Sequence, residues 1–358
     1  RAFTINTGAT ATIDVSSGVT VTLAGATGAS TNGALTKTSA GILNLTGTNT
    51  YSGNTTISAG TLAITSTGSL SGTSAGVYSG AIAIGSGATF KYSSSTNQTL
   101  QTGVISGAGT LTKDTSTSVL TLTATNTYTG ITTISAGTIS IGADANLGAA
   151  STLVPTQLTL SGGILKTTAS FTLATNRGIT LSTGGGTINV NPSIETVYGG
   201  TISGTTIFTK DGDGTFVLTG TKIDNVPPAA TYIVIKQGTY TVRSDSPQID
   251  SQTFTGAGNL IIESVSTSFT TNPLDTLNIK LVTVTGSVPN SGLLGSLTVG
   301  KSGNLSTINI SGDITTAGNQ TFWGPVTLSA DIVSTITSGI VRFTSTLDSI
   351  STTPKSLT

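Results

Sequence analysis

Hydrophobic and polar residues alternate along most of this chain, in short runs separated by turn-forming residues. Residues 41–64 show the pattern clearly: Leu43 and Leu45 are two positions apart, and so are Leu62 and Ile64. Successive side chains of a strand point to opposite faces, so a period of two predicts strands with one buried face. Gly, Asn and Ser residues between the runs favour tight turns. The stretch is therefore predicted to form several short strands joined by sharp corners.

The same stretch returns, little altered, at residues 118–141. Sixteen of the 24 aligned positions are identical, far more than a shared richness in Gly, Thr and Ser would produce. A unit of short strands that repeats along the chain is typical of a β-solenoid, in which each repeat stacks on its neighbour. A more divergent third copy follows, so the copies are placed near residues 35–64, 111–141 and 209–242.

The charge content narrows the class of protein. Only 8% of the residues are charged, and 14 basic residues balance 14 acidic ones. Nucleic-acid binding requires a concentrated positive surface, so no nucleic-acid partner is predicted. No apolar run approaches the roughly 18 residues of a membrane span, so no membrane insertion by this segment is predicted. The regular alternation of apolar residues argues against disorder.

The chain contains no Cys, no His and no Met. Disulfides and thiolate metal sites are therefore excluded, and so are Ser-His-Asp and Cys-His catalytic arrangements. A glycosidase needs two carboxylates about 5–10 Å apart, and nothing marks Glu195 or Glu263, the only glutamates, for that role. We predict a protein that is not an enzyme and that holds no cofactor.

Residues 43–64, LNLTGTNTYSGNTTISAGTLAI, resemble the passenger-associated repeat of bacterial autotransporters. Residues 314–332 are similar to coils of very large secreted haemagglutinin-like proteins. The second copy departs from the repeat pattern at Ala124, where Gly is expected. The positions assigned a structural role in the repeat are Asn49, Tyr51, Gly53, Gly60, Asn126, Tyr128, Gly130 and Gly137.

This resemblance implies a right-handed β-helix that is secreted to the bacterial cell surface or the extracellular space. At about 20 residues per coil, we predict an all-β fold: a single right-handed parallel β-helix, three-sided, with roughly 16 to 18 coils. Residues 1–276 carry the passenger-type repeats, and residues 277–358 continue as haemagglutinin-like coils that are truncated or stacked on a neighbour. Loops are predicted at residues 225–230 and around Pro289, because Pro cannot donate to a strand ladder.

Three features of the sequence can be interpreted either as binding sites or as structural elements. The Tyr and Asn residues of the repeat could form a sugar-binding platform, but their fixed place favours a structural corner. Asp211 and Asp213 could offer oxygens to Ca²⁺, although a tight Asp-Gly turn is the simpler interpretation. Trp323, the only tryptophan, is a possible contact residue or a packed ring.

These observations predict a non-enzymatic structural or adhesive solenoid of a bacterial surface fibre, which associates with copies of itself end to end or laterally. An autotransporter passenger that binds a specific host receptor or glycan is the first alternative. A polysaccharide-degrading β-helix is the second. The family carries no catalytic residue that could be transferred to this chain.

Overall fold

The structure is a computed structural model in which the chain forms two compact units, residues 1–183 and 184–358. It describes residues 3–24, 27–70, 76–150, 154–204, 206–219, 223–224, 232–243, 253–255, 259–263, 276–279, 296–300, 307–310, 314–328, 331, 333–349 and 357–358. Nearly all regular structure in these residues is β-strand. Within them, no helix has the length and apolar character needed to cross a membrane.

The first unit contains twenty described strands and one 3₁₀ helix, Asp144–Leu147. The strands are β1 Thr10–Asp14, β2 Thr20–Leu23, β3 Thr27–Thr31, β4 Ala34–Thr38, β5 Ile42–Leu45, β6 Thr48–Tyr51, β7 Thr55–Ile57, β8 Thr61–Ser66, β9 Ser69–Leu70, β10 Val77–Tyr78, β11 Ile82–Ile84, β12 Thr89–Ser94, β13 Gln98–Leu100, β14 Ile105–Gly107, β15 Thr110–Leu122, β16 Thr132–Ile141, β17 Val154–Leu160, β18 Ile164–Thr167, β19 Phe171–Leu173 and β20 Arg177–Leu181.

The second unit contains the remaining described strands. They are β21 Gly186–Val190, β22 Glu195–Tyr198, β23 Ile202–Gly204, β24 Phe208–Asp211, β25 Thr215–Leu218, β26 Ile223–Asp224, β27 Tyr232–Ile235, β28 Thr239–Arg243, β29 Thr253–Thr255, β30 Asn259–Glu263, β31 Thr276–Ile279, β32 Ser296–Gly300, β33 Thr307–Ile310, β34 Ile314–Thr316, β35 Gln320–Trp323, β36 Val326–Leu328, β37 Ser334–Ile336, β38 Val341–Phe343 and β39 Leu347–Ser349.

The three-sided solenoid is visible in the first unit, where each turn adds one strand to three separate stacks. Strands β4, β5 and β6 of one turn pair in parallel with β7, β8 and β9 of the next. Long strands such as β15 and β16 continue through a corner, since one end of β15 pairs with β12 and the other with β13. Parallel pairing between successive turns confirms the predicted parallel β-solenoid.

The second unit is built in the same way. Strands β22, β25, β28, β30, β32, β35 and β38 form one parallel stack, and β31, β33, β36 and β39 form another. The rings of Phe208, Phe216 and Tyr240 meet in its interior at centroid distances of 5.7–6.0 Å. These three rings pack among the buried aliphatic side chains of the unit.

Alternating burial follows the predicted period of two. In β5 and β8, Leu43, Leu45, Leu62 and Ile64 are fully buried, while the residues between them are partly exposed or small. Burial of aliphatic side chains contributes about 25 cal/mol per Å² of apolar surface removed from water. Each turn gains this contribution only when the turns above and below cover it, so the inward alternation stabilises the stack as a whole.

In the part of the chain that the structure describes, about 11 turns are recognised, whereas 16 to 18 were predicted for the whole chain. The prediction assumed turns of nearly constant length, whereas the corners vary. Leu35 pairs with Thr55 of the next turn, but Thr61 pairs with Thr89, a markedly longer step along the chain. The length of a turn is therefore not constant along the chain.

Several predictions from the sequence lie outside these observations. The loops at residues 225–230 and around Pro289 fall outside the described residues. The boundary at residues 276 and 277 is flanked by stretches that are not described, and it stays a prediction. So does the right-handed sense of winding.

Candidate functional site

The first copy of the repeat directs its tyrosine into the solenoid interior. Tyr51 is buried in β6, and its hydroxyl lies 2.9 Å from the Thr55 hydroxyl, which in turn lies 2.7 Å from the hydroxyl of Tyr78. Tyr78 donates to the Gly53 carbonyl, and the two tyrosine rings meet edge to face at 5.8 Å. Burial raises the pKa of Tyr51 to about 12. The cluster joins two turns by hydrogen bonds inside the core.

The second copy repeats this arrangement. Tyr128 is fully buried, and its hydroxyl lies 2.7 Å from that of Thr132. Burial raises the pKa of Tyr128 to about 12 as well. In both copies the tyrosine and its threonine partner are four positions apart. The motif thus places a hydroxyl where it can pair with the buried tyrosine, and this geometry supports the structural interpretation over an exposed sugar platform.

The repeat asparagines connect the corners of neighbouring turns. Asn49 Nδ2 donates to the carbonyls of Gly47, at 2.8 Å, and Ser69, at 3.1 Å. Asn126 Nδ2 donates to the Asn146 carbonyl at 2.6 Å, and Asn126 Oδ1 accepts from the amide of Ile105 at 2.8 Å. An amide side chain can donate and accept at once, so it satisfies corner groups that no strand ladder reaches.

The repeat glycines lie where the turns approach most closely. A Cβ at Gly53 would collide with the backbone carbonyls of Asn32 and Gly33, and one at Gly130 would collide with that of Gly109. Gly60 and Gly137 have φ values of 67° and 68°, a conformation that L side chains rarely adopt. Both requirements are structural.

The predicted calcium corner holds a lysine ammonium. Asp211 Oδ1 accepts from the Gly212 amide at 2.9 Å, as in an Asp-Gly turn. Lys210 Nζ donates to the carbonyls of Asp211, at 2.9 Å, and Gly212, at 2.6 Å. Among the described residues, no group of three or more His, Cys, Asp or Glu could hold a metal ion. These contacts favour the turn role, and calcium binding at Asp211 and Asp213 stays a prediction.

Trp323 lies at the end of β35, half-buried on the outward side of its strand. The guanidinium carbon of Arg342 lies 5.6 Å from the centroid of the indole ring, within the range of a cation–π contact. On the inward side of the same strands, Phe322 stacks on Phe343 at 5.1 Å. The indole is therefore a surface group beside a cation, above a packed aromatic pair.

Comparison with known proteins assigns the repeated corners to a family. The family described as passenger-associated-transport-repeat matches residues 35–64, 115–141 and 208–222. The first range coincides with the first predicted copy, and the other two overlap the second and third copies. Three segments of the chain therefore resemble passenger-associated-transport repeats, and they are called the passenger repeats below.

The passenger repeats agree with a second comparison. The chain is 32% identical over 235 residues to the "Adhesin BmaC autotransporter" of Brucella suis biovar 1 (strain 1330). This alignment covers 52% of the chain. The same alignment spans only 6% of the length of that relative. No solved structure matches the chain significantly. The location predicted from the sequence, the bacterial cell surface or the extracellular space, agrees with both comparisons.

The passenger repeats also contain buried lysines that sequence reasoning missed. Lys37, Lys113 and Lys210 occupy the same position in the three copies, and each is fully buried. Lys37 Nζ donates to the carbonyls of Thr38 and Ser39, both at 2.7 Å. Burial lowers the pKa of Lys37, and it lowers those of Lys113 and Lys210 to about 8. The Thr-Lys pair that recurs near the start of each predicted copy was the available signal.

The two passenger repeats of the first unit start on different sides of the solenoid. Lys37 lies in β4, and its position is occupied in the next three turns by Ile57, Ile84 and Gly107. Lys113 lies in β15 on the following side, where it pairs with Tyr92 of β12. The chain between the two lysines therefore makes three turns and one further side. Residues that are equivalent in the repeats do not share one surface.

Proposed function

We propose that this chain is a non-enzymatic segment of a bacterial surface adhesin. Its solenoid supplies a stable support and its outward faces supply the adhesive contacts. The proposal is carried by one observation: the tyrosine and asparagine side chains of the passenger repeats are buried and bonded to the chain itself. The similarity to an autotransporter adhesin supports it.

The outward surface gives the proposal a chemical form. Thr112, Thr133, Thr159 and Thr180 stand in register on four successive strands of the first unit, each partly exposed. These four hydroxyls carry no charge, and Lys91, the next residue in the same register, is paired with Asp114 at 2.7 Å. Little electrostatic repulsion therefore opposes the lateral approach of a second copy. We propose lateral association of copies along this threonine column.

Electron microscopy of the purified chain tests this form directly. Bundles or paired rods are expected at low salt. The double variant T133K/T159K introduces two positive charges into the threonine column and should leave single particles. The matched T133S/T159S variant keeps the hydroxyls and should still form bundles. Single particles for the unchanged chain would contradict lateral association, while binding of the chain to cells in a parallel adhesion assay would still support the adhesive role.

A receptor- or glycan-binding passenger is the second candidate, favoured by the surface pair of Trp323 and Arg342. An aromatic face next to a guanidinium can stack on a sugar ring and bind its carboxylate or hydroxyls. Binding to a glycan array should be lost in W323A and weakened in R342A. If both variants bind the same glycans as the unchanged chain, this pair is not the contact site.

The enzymatic alternative is tested separately. The chain should fail to depolymerise anionic polysaccharides, with or without Ca²⁺. Release of oligosaccharides by the pure protein would overturn the proposal that this segment is not an enzyme.

A further inference from the structure

Three lysines in a chain with few charges are buried without a carboxylate as their hydrogen-bond acceptor in any contact described for them. Lys37, Lys113 and Lys210 direct their ammonium groups at backbone carbonyls of a corner. Burying a charge is costly unless it is hydrogen-bonded, so the carbonyls must be arranged to receive it. The recurrence at one repeat position indicates that this arrangement is built into the repeat.

For two of these lysines, a described hydrogen bond also reaches the next turn. Lys37 Nζ donates to the Ala59 carbonyl at 3.2 Å, and Lys210 Nζ donates to the Gln237 carbonyl at 3.1 Å. In each case the acceptor immediately precedes a glycine with positive φ, Gly60 or Gly238, both at 67°. One side chain thus holds the corners of two successive turns.

The glycine of the following turn belongs to the same arrangement. A Cβ placed on Gly137 would lie 2.6 Å from Lys113 Nζ. At Gly60 and Gly238 a Cβ would collide with corner carbonyls of the turn that carries the lysine. Because glycine has no Cβ and accepts positive φ, the next corner can lie directly over the ammonium.

We infer that each lysine and the glycine of the next turn form an inter-turn clamp that fixes the register of two successive corners. The lysine supplies an internal cation, and the backbone supplies all its described hydrogen-bond acceptors. The clamp therefore needs neither a disulfide nor a bound metal. It recurs wherever a Thr-Lys pair is followed, one turn later, by a corner glycine, as in Lys37/Gly60 and Lys210/Gly238.

Amine labelling of the unchanged, folded chain is the first test. Acetylation followed by mass spectrometry should modify Lys236, which is exposed, at least roughly tenfold faster than Lys37, Lys113 and Lys210. In denaturant the four lysines should react alike. Equal reactivity of the clamp lysines and Lys236 in the folded chain would overturn the inference.

Hydrogen exchange distinguishes a clamp from a lysine that is merely buried. In K37M, the amides of Ser58 and Thr61, which donate to the carbonyls of Lys37 and Gly41 across the two corners, should exchange roughly tenfold faster or more. Amides around the Lys113 corner should be unchanged, and the surface control K236M should match the unchanged chain. Uniformly faster exchange throughout the first unit, or no change at Thr61, would contradict a local clamp. If K37M fails to fold, K113M and K210M are measured at their own corners, and the labelling result stands by itself.

Discussion

The first unit buries cationic side chains in two different ways. One arrangement can recur in every copy of the repeat, and the other cannot. Lys37 is held by backbone carbonyls. Arg177 lies outside the repeats and pairs with Asp144 at 2.9 Å, while its other donors reach the carbonyls of Leu147 and Gly148. The lysine arrangement requires only a corner and a glycine, so it can recur. The arginine arrangement requires one particular acid on the 3₁₀ helix Asp144–Leu147.

The largest effect is expected when the arginine pair is broken. The variant D144N removes the charge that compensates a guanidinium that is 1% exposed. Removing one partner of a buried ion pair costs about 3–5 kcal/mol, because the other charge remains buried. Chemical denaturation should show this loss of unfolding free energy. A loss below about 1 kcal/mol would mean that the carbonyls alone satisfy Arg177, as they satisfy the lysines.

A somewhat smaller loss is expected from the lysine arrangement. K37M keeps most of the side-chain volume but leaves three corner carbonyls without their donor, for a loss of about 2–3 kcal/mol. The exposed K236M should stay within about 0.5 kcal/mol of the unchanged chain. Denaturation curves of both variants check this, and equal stability of K37M and K236M would show that the buried lysine contributes nothing.

A matched pair of variants separates two costs of replacing the clamp glycine, the steric collision and the strain of a positive φ. Gly137 and Gly87 have φ values of 68° and 72°, but only Gly137 has atoms in the space a Cβ would occupy. G87A should cost about 1 kcal/mol for positive φ alone, and G137A should cost about 1 kcal/mol more because of the collision. Equal losses of unfolding free energy would show that the close approach of the lysine corner to Gly137 does not matter for stability.

The stability of the chain is also expected to depend on pH. The folded pKa of Lys113 and Lys210 is about 8, against 10.5 ordinarily, with burial as the cause and Asp114, or Asp211 and Asp213, opposing it. Between pH 8 and 10.5 the unfolded chain holds more protons, so the free energy of unfolding contributed by these lysines rises with pH.

At higher pH, the buried tyrosines are expected to have the opposite effect on the free energy of unfolding. Tyr51, Tyr92 and Tyr128 have folded pKa values of about 12, raised by burial. Their contribution is complete below pH 10 and is lost as pH rises towards 12. Unfolding free energy measured from pH 7 to 12 should therefore rise and then fall. The rising part should shrink in K113M, while an unchanged rise would assign it to other groups.

The sequence could predict the fold because alternation and repetition are local signals. The period of two located the buried residues of β5 and β8, and the copied motif located the corners of Tyr51 and Tyr128. The burial of Lys37 was missed because charged residues are normally exposed, and its acceptors are backbone groups that no residue type announces. Asp144 and Arg177 are far apart in sequence, so their pairing depends on the irregular corner between them.

The offset between the first two passenger repeats has a consequence for a longer array. The second copy starts one side later than the first. Groups attached to equivalent outward residues of the two copies would therefore project from two different sides of the solenoid. If later copies kept the same offset, the attached groups would be distributed over all three sides of the solenoid instead of lying along one of them.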